Sequence, residues 1–597
     1  MLPLTEIQAR LQTAVRAVLP EADLTAVLVR PCPDPKFGDY QSNALMALAK
    51  ARKLNPRQLA TDVVAKLDLA GLCDPVEIAG PGFLNFRLQT PALAATLAAA
   101  VRGEHLFIET PAQPRTVIVD FSSPNVAKPM HVGHIRSTGI GDALQRTLRL
   151  LGHRVITDNH IGDWGTQFGK LLLGWKTILD RAALERDAIA ELERLYKIIN
   201  AECDAAPARL EEAKAELVRL QAGDAENTAI WQEMIRLSQV QFDTIYRRLG
   251  VAFDHALGES FYNPALAGVV HDLLARGIAR ESEGAVAVFS DHSLPPKEDP
   301  FLVQRDGEWI DDPALIRKSD GGYNYMTTDL ATLDHRLRTW SPDEVVYVVD
   351  DRQSQHFKKL FLTFARWQPE AARRVKPVHV GFGKIMGEDG KPFKTRSGDT
   401  VKLGELLDEA EERALALVRV KQLERPEDKR LPESVWPEVA RVVGTGAVKY
   451  ADLLPNRQSD YIFSWDKMLA FNGNTAPYLQ YAYARIASIR RKAAETGAAP
   501  GNAAAPITLA APEELVLAKH MLHFGLTLEA VAEEHRPNYL CNYLFELAGK
   551  FTSFYENCPV LDAPGDLRPT RLALCDLTAR VLRQGLATLG IQVVEQM

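Results

Sequence analysis

Thr116-Val117-Ile118-Val119-Asp120-Phe121 is an apolar, β-branched run of strand length, and Ser122-Ser123-Pro124-Asn125-Val126-Ala127-Lys128-Pro129-Met130-His131-Val132-Gly133-His134 follows it directly. A short continuous apolar run without polar alternation suits a strand buried on both faces. The polar stretch behind it reads as a loop. From about Ile135 the apolar residues recur at helical spacing, with Ile140, Ala143, Leu144, Leu148 and Leu151 on one face and Gly152 as the stop. Residues 154–159 (RVITDN) then read as a second strand. Strand, loop, helix and strand within about 45 residues form a βαβ unit, the seed of a doubly wound, Rossmann-like parallel sheet in an α/β fold.

Working outward, residues 344–349 (EVVYVV) and 375–381 continue that sheet, and the charged stretch 182–250 is a helical insertion in which Glu211 and Glu212 stand ready to pair with nearby basic residues. Upstream, helical patterns over 42–53, 56–67 and 91–102 surround FLNFRL at 83–88, which follows the turn Gly80-Pro81-Gly82. A small α+β domain over 1–113 fits, closed by Pro111 and Pro114. Beyond Pro432 strand signals vanish, and a stretch rich in Ala, Gly and Pro (493–506) divides the helices into two groups. The expected organisation is therefore 1–113, a catalytic unit over 114–430, and an all-α unit over 431–597.

With 597 residues, 46% hydrophobic and 25% charged, the chain has room for several cores and is neither disordered nor collagenous. Its net charge of −7 carries no bulk basic field, which still leaves room for a local basic face. The cysteines (Cys32, Cys73, Cys203, Cys541, Cys558, Cys575) form no CxxC pair and read as reduced thiols of a cytoplasmic protein. The opening MLPLTEIQARLQTAVRAVL, with Glu6 and Arg10, reads as an amphipathic helix instead of a signal peptide. No run of about eighteen apolar residues suggests a membrane span.

His131-Val132-Gly133-His134 lies between the first strand and its helix, where an α/β sheet binds ligands and where helix N-termini favour phosphate. Two histidines three apart can donate to phosphate oxygens, and Gly133 leaves room for a nucleotide to approach the backbone. With 14 histidines and 38 glycines in the chain, HxGH is expected by chance roughly 0.02 times. Two unrelated histidines beside a turn glycine remain one alternative. A zinc site from His131, His134, His153 and His160 is another, although no cysteine joins them and the spacing fits no common pattern.

The run from Phe121 through Met130 into HVGH, then Ile135-Arg136-Ser137-Thr138, resembles the first signature of class I aminoacyl-tRNA synthetases, specifically of arginyl-tRNA synthetase. Gly162-Asp163-Trp164-Gly165-Thr166-Gln167-Phe168-Gly169 is similar to a further block of that family. So are Tyr325-Met326-Thr327-Thr328-Asp329, Arg352-Gln353-Ser354-Gln355-His356 and Gly390-Lys391-Pro392-Phe393-Lys394-Thr395-Arg396-Ser397-Gly398. In the helical tail, Tyr450-Ala451-Asp452-Leu453, Asn474 to Tyr481 (NTAPYLQY) and Phe551 to Tyr555 (FTSFY) also match, so the likeness runs in order along essentially the whole chain.

The resemblance implies a ligase that joins L-arginine to the α-phosphate of ATP and passes it to the terminal ribose of its tRNA. Positioning and charge neutralisation would carry both steps. His131, His134, Gly133 and Lys128 would hold ATP. Mg²⁺ would enter as part of the ATP substrate complex, with no dedicated protein ligands and no prosthetic group. In place of a KMSKS loop the chain has Phe393-Lys394-Thr395-Arg396-Ser397, which implies Lys128 and Lys394 as the neutralising pair. Asp120 and Asp329 match positions that read the arginine guanidinium, and Asn125, Tyr325 and Gln353 match positions that hold the rest of the substrate. In the tail, Arg485, Arg490, Arg491 and Lys492 form a basic cluster suited to phosphates, and Tyr478, Tyr481, Tyr483, Phe551, Phe554 and Tyr555 are candidates for stacking on bases. The block Phe37 to Asn43 looks like the family's extra domain at the tRNA elbow. A monomer away from membranes is expected. Another HxGH nucleotidyltransferase and a non-catalytic tRNA-binding relative are the rival readings.

Overall fold

The computed structural model describes residues 1–393, 400–495, 506–565 and 567–597. Lys394, Arg396 and Ser397, with most of the expected loop 493–506, lie outside the described residues.

Four parallel strands form the central sheet: Thr116–Asp120, Arg154–Asp158, Glu344–Tyr347 and Lys376–His379, in the spatial order fourth, third, first, second. Val117, Ile118 and Val119 are all fully buried, as a strand covered on both faces requires. Val117 and Val119 share a core with Ile140, Leu144 and Leu148 of the helix Gly133–Leu150. Ile118 belongs to the opposite core, with Leu330 of helix Tyr325–Trp340 and Leu360 of helix Ser354–Trp367. The chain therefore winds outward in opposite senses from the first and third strands. At that switch point the terminal residues Asp120 and Tyr347 are register partners.

The insertion is helical as read, through Arg181–Arg186, Ala188–Ala205, Pro207–Gln221 and Ala225–Leu249. Asp180, Asp187 and Asp224 cap three of these helices by accepting backbone N–H groups, and Gly250 ends the last in the left-handed region. The strands that follow were not anticipated. Ala279–Ser282, Ala285–Val288 and Ala314–Arg317 form an antiparallel sheet, and Leu302–Arg305 pairs with Glu308–Asp311. The amino-terminal unit is α+β, with an antiparallel sheet of four strands (Arg30–Pro31, Tyr40–Ser42, Phe83–Phe86, Glu77–Ala79) where the sequence marked one. Among its described residues the carboxyl-terminal unit is helical except for Tyr461–Ile462, which pairs with Ile385–Met386 of the catalytic unit.

The segment Pro512–Glu534 has the length and hydropathy of a membrane span. It breaks into helices Pro512–Met521 and Phe524–Glu534, and more than half of its most apolar stretch is buried within the protein.

The helix Gly133–Leu150 lies so close to the first strand that a Cβ at Gly141 would stand 2.2 Å from Phe121 Cγ. That carbon is near the ring's anchor and has no room to swing away. Gly141→Ala should therefore lower stability by about 1–3 kcal/mol, as read from the midpoint of chemical unfolding, and Phe121→Leu in the same chain should recover part of the loss.

Candidate active site

The loop after the first strand is held in a conformation that L residues adopt reluctantly. Ser122, Ser123 and Ala127 have φ of 74°, 47° and 61°, in the left-handed region. Hydrogen bonds hold it there. Ser122 N–H donates to Ser137 Oγ (2.9 Å), Ser123 N–H to Asn159 Oδ1 (3.0 Å), Ala127 N–H to Ser238 Oγ (2.9 Å) and Val126 N–H to the Gly162 carbonyl (3.0 Å). Gly162 is required because a Cβ there would lie 2.2 Å from Asn125 Oδ1. The block 162–169 is thus joined to the first signature by contact.

The loop delivers HVGH to the start of its helix. Gly133 N–H donates to His131 Nδ1 at 3.1 Å, and His131 N–H lies 3.0 Å from His134 Nδ1. Because a backbone N–H only donates, His131 Nδ1 accepts and its Nε2 carries the ring hydrogen, whereas His134 Nδ1 lies 3.0 Å from the His131 N–H and 3.2 Å from the His131 carbonyl and is served by either tautomer. Burial, assisted by His131, lowers the pKa of His134 to about 3. Burial, with Arg352 and Lys128, also lowers that of His131. Both rings are therefore neutral at neutral pH, each with one ring N–H to donate. Gly133 has a nearer reason than nucleotide approach: a Cβ there would meet the His131 ring at 2.9 Å. The zinc alternative fails on topology, since His153 and His160 flank opposite ends of the second strand.

The second signature meets the first through the residues that follow it. Val132 N–H donates to the Val401 carbonyl at 2.8 Å, and Lys402 forms a backbone bridge with His131.

The acids divide into two groups. Asp120 is 4% exposed and bonded to Arg336 at 2.6 Å, and the same guanidinium takes Asp158 at 2.7 Å. Expected to face a substrate guanidinium, Asp120 instead pairs with an internal one. A carboxylate this deep at a strand end requires a cation, and helix Tyr325–Trp340 supplies it. Asp329, on the same helix, is nearer the surface and bonds His356 Nε2 at 2.6 Å. The exposed Tyr325 ring packs edge-on against that histidine, with centroids 4.7 Å apart. Glu259, which the sequence reading missed, joins this group. Burial raises its pKa to about 7, opposed by His160 and reinforced by Asp329 and Asp163. Gln353 is exposed in the same 350–356 segment. There Arg352 is gripped by both Asp350 oxygens at 2.9 and 2.8 Å. This segment comes off the third strand, with His356 bonded to Asp329 and the Arg352 charge bearing on His131.

In the helical unit, Tyr478, Tyr481 and Arg485 fall at i, i+3 and i+7 of helix Ala476–Glu495 and share one face. Tyr481 is 44% exposed, and the Arg485 guanidinium lies 4.5 Å from the Tyr555 ring centre. Arg490 pairs with Asp576 at 3.4 Å, and Arg491 donates to the Glu595 carbonyl at 2.9 Å. Tyr483, Phe551 and Phe554 are buried in the core.

Residues 96–465 match the family model for tRNA synthetases class I (R), catalytic domain; residues 479–597 match the DALR anticodon binding domain, and residues 5–88 the arginyl tRNA synthetase N terminal domain. The chain is 46% identical over 602 residues to the arginine–tRNA ligase of a Synechococcus strain, covering 100% of both. It is 46% identical over 595 residues to that of Chromobacterium violaceum, covering 99% of each. Among solved structures it is similar to the arginyl-tRNA synthetase of Thermus thermophilus (TM-score 0.80, 26% identity, 100% of both chains). It is also similar to that of Plasmodium falciparum (TM-score 0.77, 27% identity, 100% and 99%).

Glu259 sets a stability trade that pH exposes. Its folded pKa of about 7 lies above the ordinary carboxylate value of 4.5. The unfolded chain therefore loses this proton first, and the folded state loses stability as pH rises between those values. Glu259→Gln should match the parent at pH 4 and exceed it at pH 8 by on the order of 2 kcal/mol. Unfolding in urea at the two pH values checks this. Equal differences at both would reject it.

Proposed function

The chain belongs to the arginyl-tRNA synthetases of class I, and from that premise we propose which of its residues carry the two steps of arginine–tRNA ligation. In the first, an arginine carboxylate oxygen attacks the α-phosphorus of ATP and the bond to pyrophosphate breaks, giving arginyl-adenylate. In the second, a hydroxyl of the terminal tRNA ribose attacks the adenylate carbonyl and AMP leaves. Neither step requires a covalent enzyme intermediate, so positioning and charge neutralisation are the catalyst's work.

The ring N–H groups of His131 and His134 donate to ATP phosphate oxygens where Gly133 opens the helix, and Lys128 and Lys394 offset the growing charge. Mg²⁺ arrives on the ATP phosphates as part of the substrate. Asp329 and Glu259 receive the arginine guanidinium. Glu259 is held near its titration point while empty, so it ionises as the cation arrives. Tyr325, Asn125 and Gln353 hold the remainder of the amino acid, and Asp120 fixes the helix that carries Asp329 by way of Arg336. One observation carries the reading: segment 350–356 is bonded to the Asp329 acid group through His356, and its Arg352 charge bears on His131. It supports a phosphate site and a cation site that work on one substrate pair.

Transfer RNA lies along the helical unit, with Tyr478, Tyr481 and Arg485 toward unpaired bases and Arg490 and Arg491 beside its backbone. The block 37–43 of the amino-terminal unit meets the tRNA elbow. The enzyme works as a cytoplasmic monomer.

Charging of total tRNA with each of the twenty labelled amino acids, ATP and Mg²⁺ tests this. Arginine alone should be esterified, and binding of tRNA without charging by any amino acid would overturn the reading. Asp329→Asn should lower kcat/KM for arginine by about 10²-fold or more, because a lost charged partner leaves the guanidinium unpaired. His134→Ala should lower adenylate formation by about 10²-fold while tRNA affinity stays within about twofold of the parent. Loss of tRNA binding in step with activity would sink that separation of roles.

A further inference from the structure

Helix Ala188–Ala205 belongs to the insertion, yet two of its side chains reach the phosphate end of the site. The Tyr196 ring lies against Lys128, whose Nζ stands 5.2 Å from the ring centre. Glu193 pairs with Lys402 at 3.7 Å, and Lys402 is the residue whose backbone bridges His131. Positions three apart share a helix face. One face of this helix therefore addresses both the lysine ahead of HVGH and the residue paired with its first histidine.

Both sides of the contact are fixed from behind. Leu192, Leu195 and Ile199 bury the adjoining face of the helix, and Lys170 donates to Asn200 at 2.7 Å. On the other side, the left-handed Ala127 next to Lys128 is held by Ser238. A lysine on a flexible four-carbon stem otherwise samples many rotamers. An ammonium within about 6 Å of an aromatic ring centre is attracted to its face, and here that ring belongs to a rigid element.

We propose that Tyr196 is a positioning residue for arginyl-adenylate formation, holding the Lys128 ammonium beside HVGH so that it is in place when the ATP phosphates arrive. The proposal rests on the assignment of Lys128 to phosphate charge made above. It distinguishes Tyr196 from an ordinary half-buried packing residue, because its effect must pass through the lysine.

Steady-state arginylation of total tRNA by the full-length enzyme, with ATP varied, tests it. Tyr196→Leu removes the ring face and keeps apolar bulk, and should lower kcat/KM for ATP about fivefold with KM for arginine unchanged. Tyr196→Phe retains the face and should restore the parent value. In a Lys128→Met background, Tyr196→Leu should cause no further loss. An equal loss in both backgrounds, or an equal rise in KM for arginine, would overturn the proposal in favour of packing. If Lys128→Met leaves kcat/KM for ATP unchanged, the assignment of Lys128 fails and the proposal with it. If Lys128→Met is damaging and Tyr196→Leu is not, only the role of Tyr196 fails. Should Tyr196→Leu not fold, Tyr196→Met takes its place in the same comparisons.

Discussion

Arg136, one turn into the helix that opens at HVGH, meets Asp452 on helix Trp436–Leu453 at 3.2 Å, with almost no exposure on either side. Further along, Asp142 meets Lys449 at 3.5 Å, and Lys449 also donates to the carbonyls of Leu249 (2.7 Å) and Gly590 (2.8 Å). Burial works against both pairs, pushing Asp452 up and Lys449 down from their ordinary pKa values. Losing one partner of such a pair is worth about 3–5 kcal/mol of destabilisation, although an apolar replacement of the whole pair is often tolerated. What the pairs secure is geometry. The helix presenting the histidines cannot slide against the helical unit. Tyr450, between Lys449 and Asp452 in sequence, donates to Asn474 at 2.5 Å, just ahead of the helix that carries Tyr478 and Tyr481.

The same economy of buried charge organises the far side of the sheet. Asp120 and Asp158 end adjacent strands, and Arg336 answers both. Two acids at a switch point would repel each other, so one guanidinium turns them into an anchor for helix Tyr325–Trp340. Four residues beyond the first residue of that helix, Asp329 stands open to His356. A single helix thus carries both the arginine that the buried strand-end acids hold and the half-open Asp329.

The parts of this molecule governed by local rules were legible in its residues. The βαβ unit was readable because β-branched runs and helical spacing differ in period, and the helix began two residues ahead of its expected start. The small strands of 279–317 escaped notice because each holds four residues, too few for a periodic signal. Their turns were nonetheless written in the chain: Glu283-Gly284 and Asp306-Gly307 both adopt left-handed φ, and Asp-Gly between short apolar runs is a hairpin signal. Motif residues were readable from the family pattern, but the partners that surround them did not announce themselves. Nothing near Arg336 in sequence points to Asp120, and nothing near Glu259 to Asp329, because tertiary packing brings each pair together. The aromatics divided in the same way. Helical spacing could not tell buried Tyr483 from exposed Tyr481, two residues earlier.

Charge in this chain thus exists in two kinds of surroundings, and electrolyte separates them. The Debye length falls from about 8 Å at physiological ionic strength to about 3 Å at 1 M. Screening acts on the half-exposed Arg485, Arg490 and Arg491 of the helical unit, whereas the pairs of Arg136 and Arg336 lie where counterions do not reach. Brine would accordingly strip nucleic acid from this protein well before loosening the joint between its catalytic and helical units. Dilution would return a fully assembled molecule to its polyanionic partner without any refolding step.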